Sequence, residues 1–258
     1  MRLGVSSLYL IGKSFDFVVK AIQTHELNLW EIVDDDTLTL NRERASELVE
    51  LKKSFRIDYT VHAPFADINI AAANEDFRRM AIERLTRSLK CAHMIEAQLW
   101  VFHPGVHSGL NHFYPQKDLN ACIKSVKELS KIAEDLNVQI VIENMPASIE
   151  LLLRDTDDFR AFYRLAGDAA PNMVLDVGHA NTTNQIEDFL QKQGDRIVHL
   201  HVHDNNGKLD SHERIGNGTV PWTKVTSSLN ELGFNGTVIV ESVREVAESV
   251  RAARQFFL

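Results

Sequence analysis

Nine side chains able to bind a metal ion fall, one by one, at or just beyond the ends of segments that read as β-strands. They are His62, His103, Glu143, Asp176, His179, His201, Asp210, His212 and Glu241. Imidazole nitrogens and carboxylate oxygens are the donors that Zn2+ and Mn2+ sites use, and a carboxylate can bridge two ions. A lone histidine after a strand is more often packed or solvated than a ligand, and that plain reading applies to His25, His93, His107, His112 and His199. The joint pattern is different, because acids or imidazoles recur at six successive strand ends. Those ends read VHAPF, VFHPG, VIENMP, LDVGHAN, HLHVHDNNGKLDSHERIGNG and VIVES. Glu143 and Glu241 follow the apolar runs VQIVI and TVIV, where an unpaired carboxylate is costly. A cation would satisfy both, and structural salt bridges are the alternative.

Such residues meet only if the strands that carry them run parallel and close on themselves. Short β-rich runs alternate with longer amphipathic stretches along the whole chain. The expected strands cover 3–6, 28–33, 58–62, 98–103, 139–143, 173–176, 197–203 and 237–241. Helical periodicity is clearest over 75–96, 116–136 and 222–232. In the first of these, Phe77, Met80, Ala81, Ile82, Leu85 and Leu89 recur as an amphipathic stripe. Asp16, Asn41 and Asp157 stand where helix caps are expected. Eight strand–helix units imply parallel strands, since each crossover carries a helix. The expected fold is an α/β protein, a single-domain (β/α)8 TIM barrel over residues 1–258. A doubly wound open sheet fits less well, because no glycine-rich phosphate loop follows the first strand. In such barrels the active site forms at the C-terminal ends of the strands, where the candidate ligands lie.

The composition narrows the function. At 258 residues, 44% hydrophobic and 25% charged, the chain has the balance of a globular enzyme with a full core. A net charge of −8 argues against non-specific nucleic-acid binding, which needs clustered lysine and arginine. Cys91 and Cys122 fall in expected helices and belong to no CxxC pair, so buried thiols in a reducing compartment are expected. MRLGVSSLYL reads as a strand, not a signal peptide, and no run approaches the ~18 apolar residues of a membrane span. A cytoplasmic enzyme without a membrane partner is expected, with helix faces free for a homo-oligomer. The GNG at 216–218 is a turn that, with Pro221 and Trp222, leads into a helix.

With these residues in view, the chain resembles the xylose isomerase-like TIM-barrel superfamily, which holds sugar isomerases and epimerases as well as endonuclease IV. The most specific piece is HVHDNNGKLDSHERIGNGTVPW, similar to the strand-seven loop of sugar phosphate isomerases/epimerases; ENMP and LDVGHAN add to it. The isomerase/epimerase pattern is one divalent ion held by Glu, Asp, His and Glu, which carries over to Glu143, Asp176, His201 and Glu241. The endonuclease IV pattern is a three-zinc cluster, and it adds His62, His103, His179, Asp210 and His212. The resemblance thus implies one to three ions of Zn2+ or Mn2+.

The departures order the two patterns. Asp34, Asp35 and Asp36 follow strand two, where the endonucleases place a basic, aromatic-rich stretch that enters DNA. Ala66 beside Phe65 is small where they carry a bulky wedge pair. Nucleic acid is therefore an unfavoured partner. On the epimerase side, the arginine found six residues after the metal histidine is replaced by Gly207, with Lys208 and Arg214 nearby.

The resemblance implies a divalent-metal-dependent isomerase or epimerase of a small sugar or sugar phosphate. The ion would acidify a C–H between carbonyl and hydroxyl and stabilise the enediolate, with Glu143 and Glu241 transferring the proton on opposite faces. His179 would orient a substrate hydroxyl, and Lys208 or Arg214 would contact substrate. Trp30, Phe65 and Trp222 would wall the pocket, simple packing being the alternative for each. The second expectation is an endonuclease IV-like zinc phosphoesterase, an AP endonuclease or small phosphate-ester hydrolase, in which a trinuclear site generates hydroxide near neutral pH.

Overall fold

The computed structural model describes residues 1–148 and 150–258. Its strands are β1 (Arg2–Ser6), β2 (Leu29–Val33), β3 (Asp58–His62), β4 (Trp100–Phe102), β5 (Ile140–Glu143), β6 (Asn172–Asp176), β7 (Ile197–Val202) and β8 (Thr237–Val240). They pair in chain order, all parallel, and β8 closes on β1. This is the (β/α)8 TIM barrel expected from the sequence, with strand ends within two residues of those expected. The helices are α1 (Asp16–Thr24), α2 (Arg42–Phe55), α3 (Glu75–Met94), α4 (Lys117–Leu136), α5 (Thr156–Ala166), α6 (Val177–Thr182), α7 (Ile186–Gln193), α8 (Trp222–Glu231) and α9 (Val246–Phe257). Each crossover carries one, and that after β6 carries both α6 and α7.

Successive side chains on a strand point to opposite faces, and the two faces here have different roles. The outward set docks the helices. Tyr59 on β3 donates its hydroxyl to Leu48 O of α2 at 3.0 Å, and Trp100 on β4 donates its indole N–H to Ser88 Oγ of α3 at 3.0 Å. Both rings are fully buried, each stabilising the barrel wall by about 1.5–3 kcal/mol. The inward set fills the barrel, where Leu99, Val101, Val141 and Val174 form an apolar cluster of their own. Two residues beyond the last three, on the same faces, come His103, Glu143 and Asp176. On β4, β5 and β6 the period of two thus lays a polar layer directly on an apolar floor.

Three local expectations are corrected. The buried face of α3 carries Arg78, Ala81, Ile82, Leu85, Ser88 and Leu89, while Phe77 and Met80 are exposed. Arg78 is tolerated there because Glu75 and Glu128 pair with its guanidinium. Asp16 and Asp157 lie inside the first turns of α1 and α5, and the α5 cap is Asp155, whose carboxylate accepts from Asp157 N and Asp158 N. Asn41 does cap α2, accepting from Arg44 N at 2.9 Å. Cys91 and Cys122 are buried free thiols, and burial pushes Cys122 up to about 12. Among the described residues, no helix is long and apolar enough to cross a membrane.

Candidate metal centre

At the C-terminal mouth of the barrel Glu143 is the hub. Its Oε2 lies 3.3 Å from His62 Nε2 and 3.2 Å from His103 Nε2, and its Oε1 lies 2.9 Å from His201 Nδ1. The same Nδ1 is 3.4 Å from Glu241 Oε2. Glu143, Asp176, His201 and Glu241 each offer a donor atom within 4.8 Å of the others. A second group lies alongside, made of His179, His203, Asp210 and His212. Asp210 Oδ2 is 3.1 Å from His179 Nε2 and 3.3 Å from His212 Nε2. All nine residues singled out in the sequence therefore converge on one mouth.

The chain fixes these groups from behind. His62 Nδ1 donates to Ala63 O at 2.8 Å, His179 Nδ1 to Asn144 O at 2.7 Å and His212 Nδ1 to Glu241 O at 3.0 Å. In each ring that leaves Nε2 facing the centre, the arrangement of a metal-binding histidine held by a backbone carbonyl. Asn144, next to Glu143, ties β5 to β6: it accepts from Asp176 N at 2.7 Å and donates to Asp176 O at 3.0 Å. Asp210 and His212 come from a long loop after β7 whose shape is set by Asp204. That buried carboxylate accepts from Asn205 N, Gly216 N, Val220 N and Trp222 Nε1.

The electrostatics are those of carboxylates and imidazoles crowded together out of water. Burial alone would raise the Glu143 carboxyl, but the imidazoles of His201, His103 and His62 hold it well below its ordinary value. Burial, with Glu143 and Glu31 nearby, raises Glu241 against the pull of His201. Burial works against protonating the histidines, yet carboxylates dominate: His62 is lifted to about 9 by Glu143, and His212 to about 9 by Asp210. His103, with burial uppermost, is lowered. Asp176 Oδ2 and Glu241 Oε1 are buried and find no hydrogen-bond partner among the described residues. Leaving buried carboxylate oxygens bare is costly. A divalent cation fits this mixed carboxylate and imidazole donor set and would satisfy both.

Above the centre opens a cavity of about 400 Å³. Its polar floor is His62, His103, Glu143, His179, Asp210, His212 and Glu241; its upper wall is Leu8, Ile11, Phe65, Met145, Pro146 and Val243. Phe65 packs edge-on to His62 and tilted over His103, with ring centroids 5.4 and 5.5 Å away.

The model of the xylose isomerase-like TIM barrel matches residues 19–257. The chain belongs to this family. MJ1614 of Methanocaldococcus jannaschii, an uncharacterized protein, is 35% identical over 234 residues, covering 90% of this chain and 89% of that protein. A D-psicose 3-epimerase of Ruminiclostridium cellulolyticum is 24% identical over 190 residues, covering 70% of this chain and 61% of the enzyme. Among solved structures, a D-tagatose 3-epimerase-like protein superposes with a TM-score of 0.91 at 29% identity, covering 99% of this chain and 97% of that one. Proteins named probable endonuclease 4 are also relatives.

Within this xylose isomerase-like barrel, several expected contacts do not form. Trp30 is fully buried on the outer face of β2, its ring edge-on to His25, because its neighbour Glu31 takes the inner face. Trp222 is buried beside Phe256 and Phe257. Lys208 is exposed, and Arg214 lies 3.6 Å from Glu245; neither lines the cavity. The acidic run after β2 is not a free negative surface. Asp34 is buried against Arg84 at 2.7 Å, and Asp35 accepts from Phe65 N and Ala66 N at 2.7 Å each. Their charges shape the β3 loop, so of the three only Asp36 faces solvent freely.

Three residues of this site stand outside the nine that the strand-end pattern marks. His203 Nε2 lies 3.2 Å from Asp176 Oδ1 and 3.5 Å from Asp210 Oδ1, and its ring stacks on His212 at 3.8 Å. Gly178 makes room for it, since a Cβ there would stand 2.1 Å from the His203 ring. His199 and Glu31 lie deeper in the barrel, 3.1 Å apart. The signal for the histidines is their spacing: in HLHVH, His199, His201 and His203 alternate with apolar residues and so share the inward face.

Proposed function

We propose that the protein is a divalent-metal-dependent epimerase or isomerase of a small sugar, with Glu143, Asp176, His201 and Glu241 holding the ion. The observation that carries this reading is the pair of carboxylates on either side of His201 Nδ1, both lining one cavity. A divalent ion bound there would supply Lewis acidity toward a substrate carbonyl, making the adjacent C–H acidic. Glu143 and Glu241 then perform the proton transfer: one takes the proton from carbon, and the other returns one to the opposite face. His179, Asp210 and His212 stand on the cavity floor, where they can hydrogen-bond substrate hydroxyls. The apolar upper wall keeps bulk water from the reacting carbon.

The cavity volume suits a single sugar unit. No lysine or arginine among the described residues lines it, so a phosphate lying away from the ion would lack a cationic partner. An unphosphorylated ketose fits better than a sugar phosphate. The D-psicose 3-epimerase among the relatives makes C3 of a ketohexose the first position to test.

A second reading, phosphoester hydrolysis at a multinuclear zinc site, is favoured by one observation. His179, His203, Asp210 and His212 form a donor group beside the first, which a one-ion epimerase does not need. The two are separated by loading the protein with Mn2+ or Zn2+, counting ions per chain, and incubating it with D-psicose, D-fructose and D-tagatose in D2O. Epimer carrying deuterium at C3, with one ion per chain, supports the epimerase. Three zinc ions, no sugar turnover and cleavage of an abasic oligonucleotide or a small phosphodiester would replace it with the hydrolase.

A further inference from the structure

His62, His179 and His212 each hand their rear nitrogen to a backbone carbonyl and turn Nε2 to the centre. His201 is reversed: it presents Nδ1 to Glu143 and Glu241, and its Nε2 points down into the barrel. Among the described residues no backbone carbonyl accepts from it. Instead Nε2 lies 3.0 Å from Oε1 of Glu31, a fully buried carboxylate in the middle of β2, without the alignment of a finished hydrogen bond. The other oxygen of Glu31 is occupied. Its Oε2 accepts from Thr60 Oγ1 at 2.9 Å and from His199 Nε2 at 3.1 Å, and His199 Nδ1 is in turn bonded to Thr237 Oγ1. Residues from β2, β3, β7 and β8 thus hold one carboxylate still, with Oε1 directed at His201.

We propose that Glu31 is the positioning residue of the metal centre. It keeps the His201 proton on Nε2, so that the Nδ1 lone pair faces the ion, and it sets the ring against Glu143 and Glu241. With an ion held at Nδ1, Glu31 Oε1 would be the acceptor for the Nε2–H, 3.0 Å away. Ligand histidines backed by a carboxylate are oriented and made more basic in this way, and loss of such a partner typically costs about 10- to 100-fold in metal affinity. Replacing the carboxylate by an amide removes the constraint, because a glutamine can donate to Nε2 as readily as accept from it, leaving Nδ1 protonated and unable to bind.

The inference rests on the metal reading above, and the experiment separates the two. Mn2+ and Zn2+ affinities of wild type and E31Q are measured by chelator competition, well below either melting temperature. The expected result is affinity about 10- to 100-fold weaker in E31Q. In parallel, 15N-resolved imidazole spectra of zinc-loaded wild type should show His201 protonated at Nε2 and metal-bound at Nδ1. A merely structural role would lower the melting temperature and leave affinity unchanged, which overturns the inference. A His201 that carries its proton on Nδ1 overturns it equally, and that measurement needs no variant, so an E31Q chain that fails to fold does not shield it. Wild type that takes up no ion would instead overturn the metal reading itself.

Discussion

Glu143 Oε1 stands 2.9 Å from His201 Nδ1, reaching past β6 to the strand that carries the histidine. The two come from β5 and β7, so neither local sequence nor a single turn could place them. The parallel order β5-β6-β7-β8 does it, and the pairing of β8 with β7 brings Glu241 to the same nitrogen of His201. At this mouth Asp176 Oδ2 and Glu241 Oε1 are buried without a hydrogen-bond partner among the described residues.

Glu143→Gln and Glu241→Gln should each reduce turnover by about 10²- to 10⁴-fold, the usual contribution of a positioned acid or base. Each also removes a charged ligand, so metal affinity should fall with it. Turnover should therefore be compared at saturating metal. Retention of more than a tenth of wild-type turnover under that condition would show that the carboxylate only binds the ion.

Metal-free protein should lose stability as the pH rises from about 6.5 to about 9. His62 and His212 each stand at about 9 in the fold, raised by Glu143 and Asp210 above the ordinary 6.5. A folded value above the unfolded one means their contribution is complete below about 6.5 and is lost as the pH climbs through about 9. Saturating zinc should shrink the effect, because the bound imidazoles are neutral at both ends of the range. Melting temperatures across that range, with and without zinc, provide the test; identical slopes would refute it.

How much of this is readable in the chain follows from where each signal lives. Glu143 and Glu241 are legible because each ends an apolar run, where only a compensated acid survives. Trp30 looks like a pocket wall until strand alternation is applied to it: with Glu31 facing inward, its neighbour must face out. The same alternation groups His199, inside β7, and His203, just past its end, with His201. Lys208 and Arg214 are not legible at all, since their directions depend on Asp204 gathering amides from 205, 216 and 220, a fold of the loop that no pattern encodes. The acidic run at 34–36 misleads for a related reason, as two of its three charges are engaged by Arg84 and by the amides of Phe65 and Ala66.

Asp204→Ala should destabilise the fold by about 3 kcal/mol or more, because it strands several buried N–H donors, each costing ~1–3 kcal/mol. Its functional effect should fall on the outer donor group. Asp210 and His212 ride on the loop, whereas Glu143, Asp176 and Glu241 stand on or next to strands. Binding of a first ion should therefore persist while any further ion is lost, which titration with zinc would read directly. Loss of every ion together would mean that the two donor groups are one cooperative site.

Phe65→Ala tests what the upper wall contributes. The ring is only half-buried, so the loss of stability should stay near 1 kcal/mol, far below that of a core phenylalanine. Its removal uncovers His62 and His103 and lets water into the cavity. If the wall serves mainly to bind sugar, KM should rise about tenfold with kcat little changed, the signature of lost uniform binding. If instead it shields the proton moving between carbon and carboxylate, kcat falls and deuterium from solvent enters the substrate faster than epimer forms. Initial rates in D2O distinguish the two, because exchange and epimerisation are counted in the same sample.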